Sequence, residues 1–497
     1  MSGAGGGPCA QPARADVPRM IEDPAGRGVK LYAGPNSGAE PEVLDRLMAV
    51  SRLPWVAEPV VALPDLHWKD RLETPSSTAI ATHSDIVLSF SSPSQNCGMN
   101  LLATPLMEAD LTSAFLDRLM DHLREEIPRR RRKPALSRSE VIDFCSKGAP
   151  AAARRFGLDP GMCAAIEHGG NALAGEEPSS VELAAAVDER SLEMGRFSFA
   201  YIGGGNHFLE LQVVSEVIDK SLCRALGLEP GRVVAMFHTG SERLGHDLGR
   251  LYAWRRKTDP KRRRKLFWRK VSLHMMRDVR GLGDLRRRWD YHFRKQDYVA
   301  VPAESREGKK LILSLKVAAN YGYANRTAVT ALIQAALRRA TGSRDLRLGI
   351  LADLSHNTIQ QERIDGKDLW VHRHNAARAV GPSAMPADHP YRGISQPIMV
   401  PGTNRTSSFV VVGRDGAAAS LYSVDHGAGR TVERFEAAGL LSPRPGSVTR
   451  KYTYDSPSPE ILPHLSDEAI EEVMSVAGAA GIARAAARLR PVAVLKA

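Results

Sequence analysis

The chain has 497 residues, 43% of them hydrophobic and 25% charged, with a formal net charge of +12. Length and composition support a large buried core and exclude a fibrous or wholly disordered chain. No apolar run approaches the ~18 residues of a membrane-spanning helix, and the excess of Lys and Arg points to a polyanionic partner, nucleic acid first.

Residues 1–18, MSGAGGGPCAQPARADVP, are rich in Gly, Ala and Pro and lack an apolar core segment. They are expected to form a disordered tail rather than a signal peptide, leaving 19–497 as one catalytic domain. In chain order, helices are expected at Val43–Ser51, Thr112–Glu126, Thr327–Arg339 and Asp467–Arg488, the last with Ser466 as N-cap. Strands are expected at Val60–Leu63, Asp85–Phe90, Phe197–Ile202, Arg232–Phe237, Leu346–Leu351 and Ser408–Val412. The mixed order predicts an α/β (mixed α+β) fold around a central sheet system. Five scattered cysteines without CxxC spacing argue against a disulfide framework and fit a reducing cytoplasm.

Two basic blocks stand out, Arg129–Lys133 and Lys261–Lys265. The second lies in a basic stretch, residues 250–300, with Phe267, Trp268, Trp289, Tyr291 and Phe293. Such a stretch is either a solvated helix face or a phosphate-contacting surface with aromatic rings for base stacking.

Four histidines stand at or just past an expected strand end, beside small or polar residues: His207 in GGGNHFLE, His238 in HTGS, His356 in LSHN and His426 in DHGAGR. Strand ends place side chains at a sheet rim, where sites are commonly built. With Cys97 in NCG they form a thiolate and imidazole set suited to a borderline divalent metal. His426, followed by Gly427, Gly429 and Arg430, differs from the rest. A flexible turn with an arginine suits a nucleophile attacking phosphorus, the guanidinium holding phosphate oxygens. His246 and His372 read as structural, and His274, in the basic stretch, as a surface residue. His67 is either structural or close to the substrate.

These segments, together with PDLH (63–67 with Leu63), AANYGYANR, QPIMVPG and the closing RLRPVAVLKA, resemble the RtcB family of RNA ligases in the family's own order. The resemblance implies a single large domain with a deep basic cleft. It implies joining of an RNA 3′-phosphate or 2′,3′-cyclic phosphate to a 5′-hydroxyl, with GTP as substrate and one or two Mn²⁺ ions, in RNA repair or tRNA splicing. By position, His426 matches the residue that becomes guanylylated. Cys97, His207, His238 and His356 match metal ligands, Asn206 a phosphate contact, and Glu210 and Lys496 guanine contacts. An archease-like activator is a partner by the same analogy.

The sequence also departs from the family pattern. Ser94 stands where a metal-binding Asp is expected, Asn100 and Glu242 where arginines are expected, and His374 where a lysine is expected. The Cys97–His207 metal position is therefore expected to be weakened unless Asp247 or Asp65 supplies a carboxylate. Two functional classes stay open: an active ligase, or a divergent relative that binds or is modified by GTP and binds RNA without sealing ends.

Overall fold

The computed structural model describes residues 17–69, 72–255, 259–277, 279–387 and 389–497. The expected tail, apart from its last two residues, lies outside the described residues, as does Cys9.

Two sheets organise the described residues. The larger has nine strands, of which seven run in the order Gly349–Ser355, Gly98–Met107, Arg232–Thr239, Phe208–Val217, Ala483–Lys496, Ser408–Gly413 and Pro397–Val400. The hairpin Pro443–Thr453/Glu460–Leu465 joins this sheet at Ala483–Lys496. The smaller sheet has six strands: Arg19–Glu22, Gly28–Leu31, Val60–His67, Ser76–Thr82, Lys367–His374 and Ile359–Ile364, in that spatial order. The run RVVAMFHT of Arg232–Thr239 is buried from Val233 onward, as expected of a central strand covered on both faces.

A 36-residue helix, Arg306–Thr341, crosses the larger sheet. The Ser305 hydroxyl caps it by accepting from the Gly308 amide, and Gly342, at φ 74°, ends it. Val329 and Ile333 of this helix pack with Leu119 and Phe237 in one core. Asn320, Asn325 and Arg326 on the same helix are also fully buried, a polar stripe that the sheet must satisfy.

Several expectations hold, among them the helices Pro41–Ser51 and Ser113–Glu126, the latter capped by Thr112. Others do not. Phe197–Ile202 is not a strand: the helix Glu189–Phe197 ends there and the chain continues irregularly. Its backbone is satisfied by side chains instead of a ladder. Arg131 donates to the Phe199 and Ala200 carbonyls, Tyr321 to that of Ser198, and the Ala200 amide donates to Asn325. Asp85–Phe90 shrinks to a two-residue strand and a 3₁₀ turn. The expected helix Asp467–Arg488 stops at Ala479; Gly481, at φ 69°, turns the chain into the strand Ala483–Lys496. Ser466 does not cap it; its hydroxyl accepts from the Ser442 amide instead.

Candidate metal and nucleotide site

Four adjacent strands of the larger sheet each bring one candidate ligand to the same end of the sheet. His356 follows Gly349–Ser355, Cys97 precedes Gly98–Met107, His238 sits near the end of Arg232–Thr239, and His207 precedes Phe208–Val217. The register aligns them: Ser355 pairs with Gly98, Met99 with His238, and His238 with Phe208. Cys97 Sγ lies 3.0 Å from His238 Nε2 and 3.2 Å from His207 Nε2, and the His238 and His356 Nε2 atoms are 3.2 Å apart. Ligand atoms of Cys97, His238 and His356 fall within 4.8 Å of one another in a buried cluster. Such a set fits a divalent metal, because soft thiolate and neutral imidazole lone pairs point at one volume. Burial holds His238 and His356 well below the usual imidazole range, which favours neutral rings.

Arg326 ties the loops of this edge together. From the long helix its guanidinium donates to the Asp353 carboxylate at 2.7 Å, the Thr239 carbonyl at 3.2 Å, the Asn96 carbonyl at 3.3 Å and the Ser355 hydroxyl at 3.4 Å. Each acceptor except Asp353 is a neighbour in sequence of Cys97, His238 or His356. A side chain at Gly98 would collide with this guanidinium, its Cβ lying 2.8 Å from Nη1. Nothing in the one-dimensional pattern marked Arg326, beyond its place in AANYGYANR.

His426 follows the strand Ser423–Asp425 and stands beside the cluster, its ring centroid 4.3 Å from that of His356. Its Nδ1–H donates to the Asn375 carbonyl at 2.9 Å, which leaves Nε2 with the lone pair. Burial first, then the neighbouring His67 and Lys69, push its pKa down to about 4, so the ring is neutral and nucleophilic at pH 7. Arg373 fixes the approach to this turn. Its buried guanidinium donates to the Leu421 and Tyr422 carbonyls, the Ser423 hydroxyl and the Glu362 carboxylate. Asp65 caps the helix Gly429–Ala437 behind His426 by accepting from the Thr431 amide at 2.7 Å and from its hydroxyl.

The cleft over His426 has a volume of about 420 Å³; Asn206, His238, Gly427, Gly429 and Arg430 line it, with His67 and Lys69. Glu210 and Lys496 lie on neighbouring strands, where Val494 pairs with Glu210. Glu210 shares a strand face with Phe208, which lines the cleft. Burial raises the Glu210 carboxyl to about 8 against the pull of Gln212 and Lys496, and its Oε1 has no hydrogen-bond partner among the described residues. A buried, unpaired carboxyl oxygen fits a ligand N–H donor such as the guanine edge, and that donor would favour its ionised form.

Comparison with known proteins decides the family. Residues 46–497 match the family profile described as tRNA-splicing ligase RtcB. The chain belongs to the RtcB family. It is 30% identical over 430 residues to the tRNA-splicing ligase RtcB of Pyrococcus furiosus, covering 81% of this chain and 40% of that protein. It is 28% identical over 471 residues to the RNA-splicing ligase RtcB of Mycobacterium tuberculosis, covering 91% of this chain and all of that protein. The Thermococcus kodakarensis relative is 28% identical over 81% of this chain and 80% of its own length. The chain thus spans about two fifths of the length of the Pyrococcus furiosus relative.

Within this RtcB fold the positions that depart from the family pattern fall into clear places. Ser94 is half-buried. Asn100 is fully buried and donates to Asp353 at 3.1 Å, joining the Arg326 network rather than facing the cleft. His374 is buried beside Ser76. Neither expected substitute carboxylate is available: Asp65 holds Thr431, and Asp247 is bound by Arg269 and Ser191. The carboxylate that does reach the cluster is Glu242, whose Oε1 lies 3.2 Å from His207 Nδ1. Burial alone would lower His207, but the Cys97 and Glu242 charges carry it well above its ordinary range. His372 is structural, as expected, donating to the Ile80 carbonyl and accepting from the Val87 amide. His67 donates from Nδ1 to the Asp65 carbonyl at the cleft wall.

His274 is a correction: it is buried, not at the surface. It meets His292 and Glu307 in a second cluster of potential ligands. The two imidazoles stack in parallel, with centroids 3.6 Å apart and planes 16° from one another. An ion in the plane of one ring would sit well out of the plane of the other. Arg288 and Lys310 already reach Glu307, so the cluster is a charge-paired core and not a metal site.

Proposed function

We propose that this chain is a GTP-dependent RNA ligase that joins RNA 3′-phosphate or 2′,3′-cyclic phosphate ends to 5′-hydroxyl ends. The observation that carries the reading is His426. Its Nδ1–H is spent on the Asn375 carbonyl, and its ring lies against a thiolate–imidazole cluster. Nε2 is then the nucleophile: it forms a bond to the α-phosphorus of GTP while pyrophosphate leaves, and the histidine carries GMP. A 2′,3′-cyclic phosphate end is first opened by water, which breaks the P–O2′ bond and leaves a 3′-phosphate. An oxygen of the RNA 3′-phosphate then takes the guanylyl group from Nε2, and the 5′-hydroxyl displaces GMP to form the phosphodiester. Cys97, His238 and His356, with His207 at a second position, would hold Mn²⁺, which would supply Lewis acidity and neutralise phosphate charge when bound. Asn206, Gly427, Gly429 and Arg430 hold the phosphates in the cleft, and Glu210 and Lys496 read guanine by accepting from its N–H groups and donating to its O6.

The basic segment 250–300, within one catalytic domain 19–497, is proposed as an RNA-docking face. Between residues 259 and 297 there are 14 Lys or Arg against 5 Asp, so +9 of the chain's +12 is concentrated there. Trp268 and Trp289 are 62% and 46% exposed on its helices Pro260–Lys270 and Leu282–His292. Exposed aromatics among guanidinium groups suit single-stranded RNA. The buried, unbridged Cys97, Cys145, Cys163 and Cys223 support a reducing cytoplasm, and no helix among the described residues is long and apolar enough to cross a membrane. An archease-like activator is proposed from the family resemblance alone. One observation favours the second reading, guanylylation without sealing: Ser94 gives the cluster no charge. The test is a gel assay with two labelled RNAs, one ending in a 2′,3′-cyclic phosphate and one beginning with a 5′-hydroxyl, with GTP and Mn²⁺. A joined product lost in His426→Ala supports the ligase. No joined product with wild-type protein rejects sealing.

A further inference from the structure

We infer that Glu242 supplies, from behind His207, the negative charge that the Cys97–His207 metal position lacks at Ser94. The inference rests on the proposed reading that Cys97 and His207 hold a metal ion. His207 lies between the two groups: Nε2 is 3.2 Å from Cys97 Sγ, and Nδ1 is 3.2 Å from Glu242 Oε1. His207 Nδ1 makes no hydrogen bond across this contact, so the carboxylate acts first through charge. Glu242 is only 9% exposed, so water screens that charge poorly.

Three independent features hold this arrangement. Glu242 opens the helix Glu242–Tyr252 at φ 50°, a left-handed conformation that costs about 1–3 kcal/mol for a side-chain-bearing residue. The Thr239 hydroxyl donates to Glu242 Oε1 at 2.9 Å. Gly203, at φ 91°, leaves the needed room: a Cβ there would lie 2.6 Å from His207 Nδ1 and 2.8 Å from Glu242 Oε2. The glycine run of GGGNHF thus has a use beyond cradling phosphate; it lets a carboxylate and an imidazole meet.

A carboxylate behind a ligand imidazole keeps the proton on Nδ1 and raises the donor strength of Nε2, and loss of such a partner costs about 10–100-fold in metal affinity. Glu242 is therefore a positioning residue. It replaces a charge that would act as a direct ligand from position 94 with one that acts through His207. Asp65 and Asp247 are committed elsewhere, so this is the carboxylate at hand.

The test reads metal binding, not ligation. Calorimetric Mn²⁺ titration of the full chain would be run on wild type, Glu242→Gln, and Glu242→Gln combined with Ser94→Asp. Cobalt substitution would report the Cys97 thiolate through its charge-transfer absorption. Two sites are expected in wild type. In Glu242→Gln one of them weakens by about 10–100-fold, and Ser94→Asp recovers most of the loss by returning a carboxylate from the other side. Recovery also shows that the single variant had folded. Two sites of wild-type affinity in Glu242→Gln, or one unchanged site in both proteins, would overturn the inference. Absence of any bound ion in wild type would overturn the metal reading itself and this inference with it.

Discussion

Glu362→Gln probes the frame that aims His426. Glu362 is buried against two guanidiniums: Arg373 at 2.8 Å, which also holds the Leu421 and Tyr422 carbonyls before His426, and Arg378 at 2.6 Å. Burial alone would raise its carboxyl, but Arg373 and Arg378 overcome that and bring it to about 2, against an ordinary value of 4.5. A folded pKa below the unfolded one stabilises the fold above pH 4.5, and the gain is lost as pH falls toward 2. A shift of 2.5 units corresponds to about 3 kcal/mol at pH 7, and linkage leaves ~1.4 kcal/mol at pH 3. Glu362→Gln keeps the shape and removes the charge, so urea unfolding at pH 7 should show it less stable by about 3 kcal/mol, the cost of leaving a buried guanidinium unmatched. The gap between wild type and variant should narrow to less than half by pH 3. A gap under ~1 kcal/mol at pH 7, or one that does not change with pH, would refute the reasoning.

Arg326→Met should cost about 3–5 kcal/mol, because it strands the buried Asp353 carboxylate; a matching drop in Mn²⁺ affinity, read by calorimetry, would follow from loosening the loops of Cys97, His238 and His356. Replacing Arg262, Arg264 and Lys265 together by Ala should weaken RNA binding uniformly across sequences. It should also reduce the slope of log affinity against log salt by ~1 per lost phosphate contact, measured by fluorescence anisotropy. Unchanged slopes would make the segment a solvated face. Glu210→Gln should raise the KM for GTP while leaving Mn²⁺ binding unchanged, since the carboxylate lies apart from the metal cluster.

The candidate metal residues were legible because His238, His356 and Cys97 sit where an apolar run meets a small or polar residue, and one end of a sheet gathers such points from different strands. His207 was placed after an expected strand at Phe197–Ile202 but instead precedes Phe208–Val217. Glu242 was not legible as a partner of His207. The pair is distant in sequence, and the contact depends on a left-handed backbone at Glu242 and a missing Cβ at Gly203. The run ARAAARLR reads as helix by propensity, yet it pairs between Phe208–Val217 and Ser408–Gly413; burial in the sheet outweighs the local preference. Phe197–Ile202 is apolar for another reason: Phe199 stacks on Phe144, while side chains satisfy the backbone. His274 sits in a stretch so basic that a surface place was expected, but Glu307 and the facing His292 hold it in the core.

The most direct test of the account is the covalent state of His426. Intact-mass and peptide mass spectrometry would follow the purified chain after incubation with GTP and Mn²⁺, beside His426→Ala and a metal-free control. The account predicts a single GMP adduct on His426 that needs the metal and is discharged by RNA bearing a 3′-phosphate. No adduct at any Mn²⁺ concentration, or an adduct that persists in His426→Ala, would contradict it.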